Sequence, residues 1–170
     1  KSILGRSICE GCKRELAWWE NVPVLSFLLL GGRCRTCKDK LSWQYPLVEL
    51  SMGLLFALAA WRAGMFGGEI SFEVFVRTAY FVCLSFVLFV ILLWDLKYMI
   101  IPDGLVIAAF ILVAVYLALQ AVFFGEDWRY LLWKIGGMLA VFGFFYLMFF
   151  FSKGKWIGGG DVKLGIPLGL

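Results

Sequence analysis

The sequence of 170 residues contains no histidine. This absence excludes a Ser-His-Asp triad, a Cys-His catalytic pair and every metal site that needs imidazole ligands. Charged residues are also scarce, because Asp, Glu, Lys and Arg together make up only 16% of the chain. Hydrolysis by this protein would therefore have to use carboxylates, a lysine base, or a metal held by cysteine and acidic side chains.

Apolar residues make up 62% of the chain, against roughly 45–50% in ordinary soluble domains. They are concentrated in four long stretches, at residues 46–62, 72–94, 105–124 and 131–151. Each stretch is near the ~20 residues that a helix needs to cross the hydrocarbon layer. A fifth apolar stretch, at 164–170, is too short to cross, so we expect the chain to end inside an element.

The first 45 residues are polar and basic, with eight Lys or Arg residues, four acidic residues and a net charge of +4. Basic flanks favour the cytoplasmic side of a membrane. The rest of the chain is apolar and suited to a lipid bilayer, which argues against binding to nucleic acid. Counting helices from that side places the loops at 95–104 and 152–161 on the cytoplasmic face too. We predict an all-α polytopic membrane protein with a cytoplasmic domain at 1–45 and a transmembrane domain at 46–170.

Four cysteines form two Cys-x-x-Cys pairs, Cys9 with Cys12 and Cys34 with Cys37, separated by 21 residues. Two such turns place four thiolates around one ion, which predicts a tetrahedral, structural zinc site. The alternatives are two disulfides or four unrelated thiols, and a reducing cytoplasm disfavours the disulfides. A fifth cysteine, Cys83, lies within an apolar stretch and is predicted to be a small packing residue.

Asp95 follows a long apolar run at the predicted membrane boundary. Ionisable groups at this depth are costly, which makes Asp95 a functional candidate. The alternative is a helix end at which Asp95 snorkels or pairs with Lys97. Asp103 follows Pro102 and is predicted to cap the next helix.

Asp161 follows three consecutive glycines, from Gly158 to Gly160. Glycines tolerate positive φ and close backbone approach, and such a loop could also bind an extended peptide. The alternative is a flexible loop whose aspartate caps the next helix. Two carboxylates within hydrogen-bond reach would share one proton, so that one activates water while the other polarises a carbonyl group. We therefore predict Asp95 and Asp161 as a catalytic pair.

Three groups of residues resemble the type IV prepilin peptidase family. One is the N-terminal segment with Trp18 to Phe27, Gly32 to Cys37 and Tyr45 to Leu50; the second is the stretch from Asp95 to Asp103; the third is the GxGD pattern from Gly158 to Asp161. The resemblance implies that Asp95 and Asp161 are catalytic and that Cys9, Cys12, Cys34 and Cys37 bind zinc. The same motifs supply six supporting candidates, Gly158, Gly160, Lys97, Pro102, Asp103 and Lys163.

The resemblance also implies a function. Members of this family lie in the bacterial inner membrane and cut the basic leader from prepilins and type II secretion pseudopilins at the cytoplasmic face. Many also methylate the new N-terminus with S-adenosylmethionine. Two alternatives from other classes remain, a proton-coupled transporter that uses membrane carboxylates and a zinc-ribbon scaffold of a pilus or secretion machine.

Overall fold

The computed structural model describes residues 7–68, 71–125 and 127–170. A short 3-10 helix at Trp18–Asn21 precedes six α-helices, which are α1 Leu25–Leu29, α2 Gln44–Ala63, α3 Phe72–Tyr98, α4 Asp103–Phe123, α5 Trp128–Ser152 and α6 Gly159–Gly169. The predicted all-α class is confirmed. The chain divides into two compact units, Lys1–Leu55 and Phe56–Leu170, while the predicted domain boundary after residue 45 stays a prediction.

Four helices are long and apolar enough to cross a membrane: α2, α3, α4 and α5, with 20, 27, 21 and 25 residues. At 1.5 Å per residue the shortest of them spans about 30 Å, the thickness of the hydrocarbon layer. The four predicted spans are confirmed, with ends that differ by a few residues. The largest difference is at the end of α3, which continues past Trp94 to Tyr98 and so contains Asp95.

Local interactions set the limits of α3. The Ser71 side chain accepts a hydrogen bond from the Val74 N–H at 3.2 Å, which caps the N-terminus. At the other end Met99 adopts a left-handed conformation with φ of 53°, and its N–H donates to the carbonyl oxygen of Asp95 at 2.7 Å. This contact closes the last turn and directs the chain into α4.

The core of the second unit lies between α3, α4 and α6. Ala109 is fully buried, and its small side chain lets α3 and α4 approach closely. Val87 and Ile91 of α3 pack with it, and partly buried side chains surround the three, namely Leu84, Leu88, Ile101, Leu105, Leu112 and Leu164. This cluster joins the end of α3 to the beginnings of α4 and α6.

A second close contact joins α5 to α6 through Gly165. A Cβ atom at this position would lie 3.0 Å from the Phe145 ring and 3.4 Å from the Phe142 Cα. Small residues of this kind let membrane helices pack backbone to backbone. The outer face of α5 instead exposes large apolar side chains, such as Trp133 and Leu139, as expected for a surface in contact with lipid.

The first unit has a small apolar centre. The Phe27 side chain is buried, and its ring lies 4.7 Å from the ring of Trp43, centroid to centroid. Gly32 closes over this ring with φ of 67°, and a Cβ atom there would lie 2.9 Å from Phe27 Cζ. A unit with so little core depends on other constraints to stay folded.

Candidate active site and metal centre

The four predicted metal ligands converge in the first unit. The sulfur atoms of Cys9, Cys12, Cys34 and Cys37 all lie within 4.8 Å of one another, and the Cys9 and Cys37 sulfurs are 3.7 Å apart. A tetrahedral zinc site with Zn–S bonds of ~2.3 Å requires S···S separations of about 3.8 Å. The cluster therefore has the donor set and the spacing of a closed four-thiolate site. The cysteines are free thiols, so the disulfide alternative is wrong.

The two cysteine pairs have the same local fold. In the first, the Cys9 N–H donates to the Arg14 carbonyl and the Lys13 N–H donates back to the Cys9 carbonyl, both at 2.9 Å. In the second, the Cys34 N–H donates to the Asp39 carbonyl at 2.8 Å, and the N–H of the residue after Cys37 completes the turn. Each pair is thus held in a tight hairpin turn that presents both sulfurs to the same side.

Backbone N–H groups stabilise the thiolate form of one of these cysteines, Cys34. The N–H groups of Cys37 and Thr36 donate toward the Cys34 sulfur and lower the pKa of that thiol to about 6. Because the thiolate is the form that binds metal, these donors favour binding near neutral pH.

An ion pair that the sequence did not reveal braces the same unit. Both Glu20 oxygens accept hydrogen bonds from the Arg14 guanidinium, at 2.8 and 3.0 Å, and the Ala17 N–H donates to one of them at 2.8 Å. The Glu20 residue is buried, and the Arg14 guanidinium holds the pKa of its carboxyl at about 2. This bidentate pair joins the first cysteine hairpin to the 3-10 helix.

Glu49 lies near the beginning of α2. In the structure its Oε2 atom accepts a hydrogen bond from the Val24 N–H at 2.7 Å. Val24 has a φ of 58°, an unusual conformation for a β-branched residue. The carboxylate of α2 therefore stabilises a strained turn before α1.

Asp95 lies in the last full turn of α3 rather than in the loop that was predicted for it. Its carboxylate is exposed and has no ion-pair or hydrogen-bond partner in the described part of the chain. Lys97 instead places its ammonium group 5.2 Å from the centre of the Tyr98 ring. The proposed pairing of Asp95 with Lys97 is therefore wrong.

Asp161 lies in the first turn of α6 and is partly buried. Its Oδ2 atom accepts a hydrogen bond from the Gly158 N–H at 3.1 Å, so the aspartate also stabilises the helix start. None of the three glycines uses a positive φ, since Gly158 has a φ of −74° and α6 begins at Gly159. Gly159 and Gly160 are therefore helical, and the loop before α6 ends at Gly158.

The two aspartate motifs contact each other. A Cβ atom at Gly160 would lie 2.9 Å from the Ile101 Cβ atom, so only glycine permits this approach. Lys163 donates a hydrogen bond to Asp103 Oδ1 at 2.7 Å. The predicted capping role of Asp103 is wrong, because the structure assigns the N-cap to Pro102 and Asp103 pairs with α6.

The same contacts place both aspartates at one end of the second unit. Ile91, one turn before Asp95, and Leu164, one turn after Asp161, belong to the same apolar cluster. Residues one helical turn apart share a face, so each aspartate lies on the helix face that carries a member of this cluster. The structure thus brings the two aspartate segments together, while their catalytic roles stay predictions.

Cys83 belongs to neither site. It is exposed on α3, and in the described part of the chain it packs into neither core. The prediction that Cys83 is a packing residue is wrong, because the residue is exposed. A cysteine on an apolar helix can also face lipid.

The chain thus has a cysteine-rich N-terminal unit and a helical unit in which two aspartate segments contact each other. These features define a polytopic membrane protein with a small metal-site domain. Comparison with known families makes the class specific. Residues 82–170 match the type IV leader peptidase family, and residues 1–63 match the bacterial peptidase A24 N-terminal domain. The chain therefore belongs to the type IV leader peptidase family.

Several relatives match nearly the whole chain. Proteins named prepilin leader peptidase/N-methyltransferase are 34% identical in Bacillus subtilis, over 98% of this chain and 61% of the relative, and 32% identical in Vibrio cholerae, over 96% and 60%. A relative from Neisseria gonorrhoeae with the same name is 40% identical over 48% of this chain and 28% of its own length. The chain thus spans less than two thirds of these relatives. No solved structure matches it at a significant level.

Proposed function

We propose that this protein is a membrane aspartic endopeptidase that removes the basic leader from type IV prepilins or type II secretion pseudopilins. The observation that carries the proposal is the contact between Ile101 and Gly160, which joins the segment after Asp95 to the segment before Asp161. The family match over residues 82–170, which includes both aspartates, gives independent support. The names of the relatives supply the substrate class.

The mechanism follows from the behaviour of two carboxyl groups that share a site. In this mechanism one of the two carboxyl groups carries a proton and the other is ionised. The ionised carboxylate takes a proton from a water molecule, whose oxygen attacks the scissile carbonyl carbon while the protonated carboxyl donates a hydrogen bond to the carbonyl oxygen. The proton taken from water then passes to the leaving amine, and neither histidine nor a catalytic metal is needed.

The groups around the two aspartates are consistent with one ionised and one protonated carboxyl group. Gly158 donates to Asp161 Oδ2, which orients that carboxylate and leaves its second oxygen for water or for the partner carboxyl. Asp95 has no competing partner in the described residues. Lys163 pairs with Asp103, so its positive charge is partly neutralised and its position on α6 is restrained. We assign Lys163 and Asp103 as positioning residues.

The proposed location is the bacterial inner membrane, with cleavage at its cytoplasmic face. Support comes from the net charge of +4 on residues 1–45, which favours a cytoplasmic position for that segment. Four membrane-crossing helices then return the segments with Asp95 and Asp161 to the same side. A substrate leader that is basic and cytoplasmic would meet the aspartates there.

The metal proposed for the cysteine site is zinc, held by Cys9, Cys12, Cys34 and Cys37. A closed four-thiolate site leaves no open coordination position, so the ion would stabilise the fold of the first unit and take no part in hydrolysis. The convergence and spacing of the four sulfur atoms support this assignment.

We also propose methylation of the new N-terminus with S-adenosylmethionine as the methyl donor. This part rests on the name shared by the relatives, which includes N-methyltransferase, and on no contact within the described residues. It is independent of the peptidase chemistry at Asp95 and Asp161.

A synthetic prepilin-like peptide tests both activities in one assay. The full-length protein in detergent is incubated with the peptide and the products are weighed by mass spectrometry. We expect loss of the leader, and a further gain of one methyl group when S-adenosylmethionine is added. Intact peptide after incubation with a folded protein, together with ion flux in liposomes, would favour the transporter alternative.

A further inference from the structure

The short helix α1 carries three large apolar side chains on the side away from its core. Leu25, Leu28 and Leu29 are exposed, the last two at 63% and 71%, whereas Phe27 is buried. Because positions three and four apart are neighbours on a helix, the three leucines form one continuous surface, the leucine face. Exposed apolar surface of this kind marks a site of contact with a membrane or with another protein.

The position of α1 in the first unit favours the membrane. Val24, directly before α1, donates its N–H to Glu49 Oε2 at 2.7 Å. Glu49 is the sixth residue of α2, so at 1.5 Å per residue it lies about 7.5 Å along the axis from the first residue of that helix. The leucine face therefore lies at the level where the membrane helix α2 enters the bilayer, the depth at which interfacial helices bury apolar side chains.

Trp43 supports the same orientation. The residue directly precedes α2, its side chain is exposed, and its ring lies 4.7 Å from the Phe27 ring, centroid to centroid. Tryptophan is enriched where membrane meets water, because its ring is apolar and its N–H is polar. The ring pair thus joins the inner side of α1 to the residue from which α2 starts.

Two cations lie beside the leucine face. A groove of about 580 Å³ is lined by Leu28 and by Arg33 and Lys40, two residues that face each other across an antiparallel bridge. Neither cation forms an ion pair within the part of the chain that the structure describes. The neighbouring acid, Asp39, instead places its carboxylate against Gly11 of the first cysteine turn. The groove is therefore suited to an anion, and phosphates of anionic lipids are the anions that a membrane surface offers.

We propose that the first unit docks onto an anionic lipid surface through the leucine face, with the Arg33 and Lys40 side chains against lipid phosphates. The leucines then exchange water for acyl chains, and the two cations gain the anionic partners that the described residues do not supply. A protein partner is disfavoured, because it would have to reach the leucine face at the level where α2 enters the lipid. The proposal is independent of the peptidase function.

Photo-cross-linking of the full-length protein in lipid nanodiscs tests this proposal. The nanodiscs contain phosphatidylglycerol and phosphatidylcholine in equal amounts, p-benzoylphenylalanine replaces Leu28 or, in a second variant, Leu29, and mass spectrometry identifies the adducts. We expect lipid adducts at both positions, as at the exposed Leu54 of α2, which serves as the positive control. Thr36 is the matched negative control, because it is exposed in the second cysteine turn and does not line the groove.

The role of charge is tested with the same label at position 28. In the double variant Arg33→Gln with Lys40→Gln, the preference of the adducts for phosphatidylglycerol over phosphatidylcholine should decrease several-fold. Lys13→Gln is the control, because Lys13 is an exposed cation that does not line the groove. Circular dichroism checks that every variant is folded.

Three results would overturn the proposal. One is the formation of lipid adducts at position 54 but at neither position 28 nor position 29. Another is adducts of positions 28 and 29 with a second protein chain in place of lipid. The third is an equal preference for phosphatidylglycerol with and without the double substitution, since Arg33 and Lys40 would then make no contact with lipid phosphates.

Discussion

Lys163 donates a hydrogen bond to Asp103 at 2.7 Å, so the second turn of α6 is joined to the first turn of α4. Both side chains are exposed, and pairs of this kind typically contribute about 0.2–1 kcal/mol to stability. The contact is more important for position, because Lys163 lies two residues after Asp161. It restrains the segment that carries one of the two proposed catalytic groups.

Substitution of this pair should separate activity from stability. We expect Lys163→Met and Asp103→Asn to change the free energy of unfolding by less than about 1 kcal/mol but to slow leader cleavage several-fold. The double variant should be no slower than the worse single variant, since the two groups act together. Lys155→Met, in the preceding loop, is the matched control. Independent losses in the two single variants would show that the contact has no positioning role.

Gly160 should tolerate no larger residue. In Gly160→Ala the new Cβ atom would lie 2.9 Å from the Ile101 Cβ, which no rotation of a side chain can relieve. We expect a loss of about 1–3 kcal/mol in stability and a strong decrease in cleavage, measured by chemical unfolding and by the peptide assay.

Gly159→Ala is the control for this effect, because a Cβ atom there meets nothing within 4 Å. The substitution should leave stability and cleavage near the wild-type values, or raise stability through better helix propensity. Similar losses in the two alanine variants would mean that the contact with Ile101 is not the cause.

The metal site gives a prediction that does not involve catalysis. A variant with Ser at positions 9, 12, 34 and 37 should contain no zinc by elemental analysis, whereas Cys83→Ser should bind as much as the wild type, since Cys83 is not a member of the cluster. Chelation of zinc should loosen residues 1–45, seen as faster proteolysis, without removing the aspartate chemistry directly. Zinc bound by the fourfold variant at the wild-type level would reject the ligand assignment.

Glu20 should make the first unit sensitive to acid. Its carboxyl pKa is about 2 in the folded protein against an ordinary value of 4.5, so the carboxylate stabilises the folded state above pH 4.5. That contribution is lost as the pH falls through about 2. We expect the difference in unfolding free energy between wild type and Glu20→Gln, followed by tryptophan fluorescence, to be constant above pH 4.5 and to shrink below it.

Hydropathy predicted the number of membrane helices but not where one of them ends. The apolar run stops at Trp94, yet α3 continues to Tyr98, because polar residues such as Lys97 can extend a helix beyond the lipid. Hydropathy measures compatibility with lipid, and the end of the helix depends on the left-handed conformation of Met99. The loop predicted for Asp95 is therefore helical.

The sequence pattern could not predict contacts between residues that are far apart along the chain. The two Cys-x-x-Cys pairs were visible because metal geometry imposes their spacing. The pairing of Asp103 with Lys163 joins positions 60 apart and leaves no local pattern. Glu20 was indistinguishable from a solvated acid, because only the folded unit shows that it is buried against Arg14.

The central claim is that Asp95 and Asp161 act as one catalytic unit, and initial rates of leader cleavage by purified Asp95→Asn, Asp161→Asn and double variants test it most directly. Residues that act as a unit give losses that do not multiply. We predict that each single variant loses at least about 10³-fold in the rate of cleavage and that the double variant is no slower than the single variants. Asp127→Asn, which changes the N-cap of α5, should cleave at the wild-type rate. Near wild-type cleavage by either single variant, or losses that multiply in the double variant, would contradict the account.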